Sequence, residues 1–285
     1  MAKNRNKDGK TGQKKIKYGK KEPTVRQSVR ETDAPQMRQT DITDSFAFVQ
    51  TQPADLGAID PGAPIRLHIK TFSPLHLGTG YADIHVDADV VQDAVGLPYF
   101  PAKRLKGLLY ESGCEVAEMA ETAELDLFDK AALDALFQRG RMGAVQLILH
   151  NLYMEQYEEI HADLKYLEAK YPSIFRPEDV LGICANLRWQ TKINRETGIA
   201  EQTTLHNMRV IEKGAEFSGE IRLVNADMEH LCILALAVRN LSQCGGKRTR
   251  GFGRIGCTLR QNGKDIAPAL VTKALGRQNR KGGRR

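Results

Sequence analysis

The chain has 285 residues, a formal net charge of +7, 41% hydrophobic residues and five cysteines. This apolar content suits one large folded domain or two small ones. No run of about 18 apolar residues marks a transmembrane helix, and the Lys-rich start lacks the apolar segment of a secretory signal. The cysteines are odd in number and form no Cys-x-x-Cys pair, so neither a zinc ribbon nor a disulfide framework is expected, and a reducing, cytoplasmic location is predicted.

The positive charge is concentrated at the two ends of the chain. Residues 1–30 carry a net +9 and residues 271–285 a net +6, so residues 31–270 hold −8. Residues 1–62 are rich in Lys, Gln, Thr, Asp and Pro, which predicts a basic, disordered and flexible arm. The positive charge near the other end predicts a basic C-terminal tail over residues 263–285. Such segments attract polyanions but also merely solubilise, so charge alone does not establish nucleic-acid binding.

Hydrophobic periodicity predicts the elements of the first two thirds. Apolar and polar residues alternate from Ile65 to Lys70, which is typical of a half-buried strand, and Val90-Val91 predicts a short extended segment. Apolar residues then recur at helical spacing from Leu105 to Val116, so a helix is expected to pack one face on the core. Further along, the patterns predict an acidic helical stretch through 115–136, a strand at 144–149, a solvated helix at 152–171 and a polar, loop-like segment at 186–206.

The last third of the chain repeats the succession of strand, helix and strand. The patterns predict a strand at 217–223, an amphipathic helix at 228–241 and a final strand at 255–259. Asn225 or Asp227 is the expected N-cap of the helix, and Gly245-Gly246 is expected to end it.

This order of elements, with long crossovers between strands, predicts an α+β fold with a repeated βαβ unit. That is the ferredoxin-like arrangement, which RRM-type RNA-binding domains share. The domain is expected to span residues 63–262, with insertions at about residues 115–140 and 152–210. Because one fold carries many functions, the fold alone does not decide the function.

The start of the first predicted helix is basic. The run GLPYFPAKRLKG at 96–107 places Lys103, Arg104 and Lys106 in the first helical turn. Cations there oppose the helix macrodipole, whereas a bound phosphate would attract both the cations and the helix amides. The sequence therefore predicts an anion site, with a solvated basic turn as the alternative.

The loop before the last strand is rich in glycine and in cations. Residues 244–256 hold five glycines, four cations and one aromatic residue. Glycine allows the backbone to approach a phosphate closely, arginine binds phosphate through two parallel hydrogen bonds, and an aromatic ring can stack on a base. The candidate RNA-binding residues here are Lys247, Arg248, Arg250, Phe252 and Arg254, with an exposed hairpin turn as the alternative.

The run DIHVDAD at 83–89 contains a candidate carboxylate site. In an extended backbone His85, Asp87 and Asp89 share one face, which could hold a divalent ion or act on a ribose hydroxyl. Spacing alone fits an exposed polar loop at least as well. His76, beside Gly78, is more typical of a structural histidine than of a catalytic base.

In this order the stretches resemble the RAMP superfamily of CRISPR-associated proteins, and within it the repeated backbone subunit of type III effector complexes. The resemblance covers about residues 65–260. It rests on His76-Leu77-Gly78-Thr79, DADVVQD at 87–93, PYFPAKRLKG at 98–107, Leu136-Phe137 before Gly143, and KINRETGIA at 192–200 before Glu212 and 214–217.

The resemblance implies a ferredoxin-like palm with an inserted thumb hairpin. It implies guide CRISPR RNA, target RNA, copies of itself or related subunits, and the large signalling and small subunits of the complex as partners, with no membrane. His76 joins the candidate RNA-binding residues. In the cleaving members a loop aspartate cuts the target RNA, and Asp87 falls at that position. Mg²⁺ or another divalent ion is therefore expected at Asp87 and Asp89 if the protein is catalytic, and no tightly bound cofactor is expected.

Some positions depart from the family pattern. Lys103-Arg104 replaces a Ser pair, Tyr110 stands where an arginine is expected, and Asp89 stands where proline is frequent. These changes suit RNA binding and leave cleavage open. Three alternatives therefore remain. The protein could be a non-catalytic scaffold, a guide-RNA maturation endoribonuclease that uses His76 with Tyr81 or Lys103, or a general RRM-like binder that uses Phe252.

Overall fold

The computed structural model describes residues 59–80, 82, 86–138 and 145–276. These residues form a main sheet with helices packed on it. The strands of the main sheet are β1 (Ile65–Thr71), β2 (Gln146–Leu149), β3 (Tyr153–Met154), β6 (Glu216–Val224), β7 (Ile255–Gln261) and β8 (Lys264–Asp265), and a separate two-stranded sheet contains β4 (Ala185–Gln190) and β5 (His206–Ile211).

The central strands follow the order β2-β6-β1-β7, and each neighbouring pair is antiparallel. β1 and β2 are therefore parallel with β6 between them, and β6 and β7 are parallel with β1 between them. Each parallel pair is joined by a crossover that contains a helix. This is the split βαβ arrangement of a ferredoxin-like fold, and the predicted α+β class is confirmed.

The helices are α1 (Ala102–Thr122), α2 (Lys130–Leu136), α3 (Tyr157–Lys170), α4 (Pro177–Cys184), α5 (Met228–Asn240) and α6 (Ala267–Gly276). Helices α1 and α5 pack against each other, and their buried faces share the core with alternate residues of β1. A hydrogen bond of 2.8 Å from the Ser112 hydroxyl to the Ala237 carbonyl links the two helices. Asp227 is the N-cap of helix α5, and its carboxylate accepts the amides of Glu229 and His230 in a capping box.

Two predicted segments differ from the structure. The acidic helical stretch is interrupted, because α1 ends at Thr122 and a new helix begins after Asp129, whose side chain accepts the Ala131 amide. The segment 186–206 is not a loop, since it includes most of β4 and the start of β5. Exposed side chains along β4 remove the alternation that marks a strand. A hairpin is thus present where the family resemblance implies one.

The C-terminal boundary is also a correction. Residues 264–276 were expected in a basic tail, but they form β8 and α6. Ala267, Leu270 and Ala274 recur at helical spacing, are buried and pack α6 against α5. The charge beyond residue 270 obscured this short apolar face. Only residues 277–285 of the expected tail lie outside the described residues.

Most of the expected basic arm, residues 1–58, lies outside the described residues. Its last residues are part of the fold, because Ile59 is buried and the Asp60 amide donates to Oε1 of Gln261 at 3.0 Å. Within the described ranges no helix is both long enough and apolar enough to cross a membrane.

Candidate nucleic-acid interface

A cleft of about 580 Å³ lies where the loop after β1, the start of α1 and the loop after α5 meet. The three stretches that the sequence marks as chemically distinctive thus converge on one surface. The residues that line this cleft are His76, Gly78, Gly80, Ala82, Asp87, Ala88, Asp89, Arg104, Leu108, Gly245, Gly246 and Arg248.

Two loops are held together around His76. Its carbonyl accepts the Gly246 amide at 3.0 Å, and its ring Nδ1 lies 2.8 Å from the Arg209 carbonyl. A carbonyl only accepts hydrogen bonds, so Nδ1 carries the proton. A Cβ on Gly78 would lie 2.6 Å from the other ring nitrogen, and a Cβ on Gly245 would lie 2.6 Å from the His76 carbonyl oxygen. Glycine at these positions permits the close approach of the loops.

The cations at the start of α1 point in two directions. Arg104 lines the cleft, and its Nη2 donates to the Gly78 carbonyl at 2.7 Å. Lys103 and Lys106 line a separate depression beside β2, where Lys106 Nζ lies 3.3 Å from Oε1 of Gln138. Residues three apart share a helix face, whereas neighbouring residues do not. One of the three predicted cations therefore contributes to the cleft.

The cations of the loop after α5 are divided in a similar way. Arg248 is exposed and lines the cleft. Lys247 turns to the hairpin, where its Nζ lies 2.6 Å from Oε1 of Gln190 and 3.3 Å from Nε2 of His206. Burial lowers the pKa of Lys247, and the nearby positive charge of Arg250 adds a smaller effect.

The other residues predicted in this loop lie outside the lining of the cleft. Arg250 and Arg254 are exposed and Phe252 is half-buried. The Arg254 amide donates to the Ser73 hydroxyl, which fixes the loop against the segment after β1. Phe252 precedes β7, whereas RRM domains present their stacking aromatic residues on the sheet itself.

Strand β5 positions both predicted carboxylates. Oδ2 of Asp87 accepts the Asn207 amide and Oδ1 of Asn207 accepts the Asp87 amide, each at 2.8 Å. Asp89 Oδ1 lies 3.0 Å from Nε of Arg209. Asp87 is exposed in the cleft, whereas Asp89 is engaged in an ion pair. Sequence reasoning missed Asn207 and Arg209 because it predicts no strand at 206–211 and because their contacts are with residues about 120 positions away in the sequence.

Asp87 fits a divalent ion as a single protein ligand. Among the described residues, no group of three His, Cys, Asp or Glu ligand atoms includes Asp87 or Asp89, and Asp83 and His85 lie outside this part of the chain. Mg²⁺ commonly takes one or two carboxylates and completes its shell with waters and substrate phosphates. Asp87 can therefore offer one ligand at the cleft, with the others supplied by RNA and water.

Comparison with known protein families assigns the chain to one of them. Residues 68–256 match the family model of the RAMP superfamily. The chain belongs to the RAMP superfamily. Comparison with curated proteins gives no significant match.

Two solved structures resemble this RAMP protein in fold. One is a cryo-EM structure of the Type III-B Cmr-beta bound to cognate target RNA, and the other is the apo state of Type III-B Cmr-beta. Both similarities have a TM-score of 0.49 and 12% sequence identity. They cover 74% and 71% of this chain and 100% and 99% of the matched chains, respectively.

Proposed function

We propose that this RAMP protein is an RNA-binding subunit of a type III CRISPR effector complex, and that its cleft holds the ribose-phosphate backbone of the guide RNA. One observation carries the proposal: Arg104 and Arg248, which are 144 residues apart in sequence, line one cleft together with glycine backbone. Copies of the same chain or related subunits, and the large and small subunits of such a complex, are the partners that this function requires.

The chemistry of the cleft suits a phosphate chain. An arginine has five N–H donors, so the bond from Arg104 to the Gly78 carbonyl leaves donors for a phosphate. The cleft also lies near the N-terminus of α1, whose dipole favours anions. Two cations and a helix terminus thus favour the same ligand.

The first prediction concerns the two cleft arginines. Arg104→Gln and Arg248→Gln should each weaken binding of single-stranded RNA and lower the slope of log affinity against log salt by about 0.7, with about 1.4 for the double variant, because each phosphate contact releases counterions. Affinity is measured by fluorescence anisotropy over a series of salt concentrations.

Arg176→Gln is the matched control for these variants. Arg176 is an exposed arginine that pairs with Asp179 in the inserted helices, so its substitution removes the same charge outside the cleft. It should leave the salt slope unchanged. Equal slopes for the wild type and the double variant would contradict the proposed RNA site.

Cutting of target RNA is a second candidate function, and the exposed position of Asp87 in the same cleft favours it. A divalent ion bound there would supply a Lewis acid for attack of the ribose 2′-hydroxyl on the adjacent phosphate. In this step the bond from the 2′-oxygen to phosphorus forms, the bond to the 5′-oxygen of the next nucleotide breaks, and the hydroxyl proton passes to water. Asn207 holds Asp87 by two hydrogen bonds, which fixes the direction of the carboxylate relative to the cleft. RNA is required as substrate because DNA lacks the attacking hydroxyl.

The second prediction tests that function with Asp87→Asn. The amide oxygen of asparagine can still accept the Asn207 amide, so the loop should keep its conformation while the negative charge is lost. In the assembled complex with Mg²⁺, target RNA cleavage should fall by at least about 100-fold while guide and target RNA still bind. Cleavage by Asp87→Asn at the wild-type rate would contradict a catalytic role for Asp87 and leave it an ordinary loop carboxylate.

The described residues give less support to guide-RNA maturation. His76 lines the cleft and its Nδ1 faces the Arg209 carbonyl, whereas Lys103 lines the depression beside β2. Tyr81 lies outside the described residues. Incubation of the purified protein with precursor RNA alone distinguishes this activity, because a maturation enzyme needs no other subunit.

A further inference from the structure

A second polar cluster lies on the face of the sheet opposite α1 and α5. Alternate residues of β1 belong to the core on the helical side, so His68 points to the other side. Glu216 of β6 lies diagonally across from it, because His68 pairs with Ser218. Glu155 follows β3, which pairs with β6 at Ser218 and Phe217. Three segments therefore bring one imidazole and two carboxylates together.

The two distances from His68 to the carboxylates are compatible with donors around one ion. Nε2 of His68 lies 3.1 Å from Oε2 of Glu216 and 3.7 Å from Oε1 of Glu155. All three donor atoms lie within 4.8 Å of one another. Donors held about 2.1 Å from a single ion would subtend angles of about 95° and 125° at these separations, which lie in the range of tetrahedral and distorted octahedral geometry.

We propose that His68, Glu155 and Glu216 form a binding site for a divalent transition-metal ion of the Zn²⁺ type. An imidazole ligand favours such an ion over Mg²⁺ or Ca²⁺, which prefer sets of oxygen ligands alone. Water can complete the coordination shell from the side of Glu155, whose side chain is 67% exposed.

The residues around the cluster hold two of its ligand atoms in fixed orientations. His68 is only 5% exposed, which fixes the orientation of its ring. Lys70 Nζ lies 3.1 Å from Oε1 of Glu216, the oxygen that faces away from the proposed ion, so this contact orients Oε2 toward His68.

The proposed metal site is separate from the cleft that contains Arg104 and Arg248. Glu155 lines another cleft, next to Arg66, Tyr153 and Ser218, and no lining residue is shared between the two. A metal ion here would join the sheet to the segment that leads into α3. The proposal thus concerns a structural site, and its failure or success is independent of RNA binding.

The third prediction tests this site by titrating the full-length protein, stripped with chelator, with ZnCl₂ at neutral pH in a calorimeter. The wild type should bind one Zn²⁺ that is lost or weakened at least about tenfold in both Glu155→Gln and Glu216→Gln, because each removes a ligand. Co²⁺ should give a visible absorption band in the wild type that both variants reduce. At a hundredfold excess over Kd, Zn²⁺ should raise the Tm of the wild type by roughly 5–10 °C.

Two controls make the result specific. His150→Gln changes an exposed histidine in the same cleft that lies outside the donor set, and it should bind Zn²⁺ as the wild type does. Asp179→Asn, which removes an exposed carboxylate that lines neither of the two clefts, should also keep Zn²⁺ binding. Because Glu155 is largely exposed, loss of binding in Glu155→Gln cannot be attributed to unfolding. No uptake by the wild type, or equal affinity in the wild type and both glutamine variants, would overturn the proposal.

Discussion

His76 is the residue around which the two loops of the cleft pack. Its carbonyl binds the Gly246 amide, its ring binds the Arg209 carbonyl, and glycines lie against both. The sequence marks both loops as glycine-rich but does not identify which glycine is required, because that depends on contacts between segments far apart in the chain. Glycine is required at position 245 for two reasons. Its φ is +80°, and a Cβ there would lie 2.6 Å from the His76 carbonyl oxygen.

The fourth prediction compares Gly245→Ala with Gly251→Ala. Both glycines have positive φ, but a Cβ on Gly251 would meet nothing within 4 Å, whereas a Cβ on Gly245 would lie 2.6 Å from the His76 carbonyl oxygen. We expect Gly251→Ala to lower the free energy of unfolding by about 1 kcal/mol, and Gly245→Ala by about 2–4 kcal/mol, because a steric clash adds to the backbone strain.

Urea denaturation of the two alanine variants measures this difference, and RNA anisotropy measures its effect on the cleft. Gly245→Ala should also weaken RNA binding, since it moves the loop that bears Arg248 away from the loop after β1, to which Arg104 of α1 is hydrogen-bonded, whereas Gly251→Ala should not. Equal losses of stability in both variants would show that the contact with His76 contributes little.

At the scale of the elements, the sequence is most informative where a side is buried. β1, β6 and α1 show clear periodicity because each packs one face on the core, whereas α5 is recognisable as an apolar run because all of its residues 231–238 are buried. β4 is mostly exposed and α3 has no buried residue, so the insertion carries little hydrophobic signal. The hairpin was therefore identified by resemblance and not by periodicity.

The division of the cations also belongs to the scale of the elements. Lys103 and Lys106 lie on one face of α1, and Arg104 and Leu108 on another, as the 100° rotation per helical residue requires. This part of the site could be predicted from the sequence once the helix was assigned. The roles of Asn207 and Arg209 could not, because they depend on where β5 lies in space.

At the scale of the whole molecule, the opposing charges of the core and the termini define how RNA can bind. The net charge of +7 becomes −2 without the +9 of residues 1–30. An acidic folded part repels RNA at long range, so specific binding must come from local cations such as those of the cleft, while the basic end of the chain adds attraction that depends little on RNA sequence.

The fifth prediction is that deletion of residues 1–30 lowers affinity for nonspecific RNA at least about tenfold at low salt and reduces the salt slope, because counterion release scales with the number of phosphates neutralised. The Tm should change by less than about 2 °C.

A variant of full length in which the Lys and Arg residues of this stretch are replaced by Gln should match the deletion if charge is the cause. Unchanged affinity for nonspecific RNA would show that the basic terminus does not contribute to RNA binding. A large fall in Tm would show instead that it has a structural role. Addition of Arg104→Gln to the deletion variant should lower the slope by a further 0.7 or so, since the cleft then provides the remaining phosphate contacts.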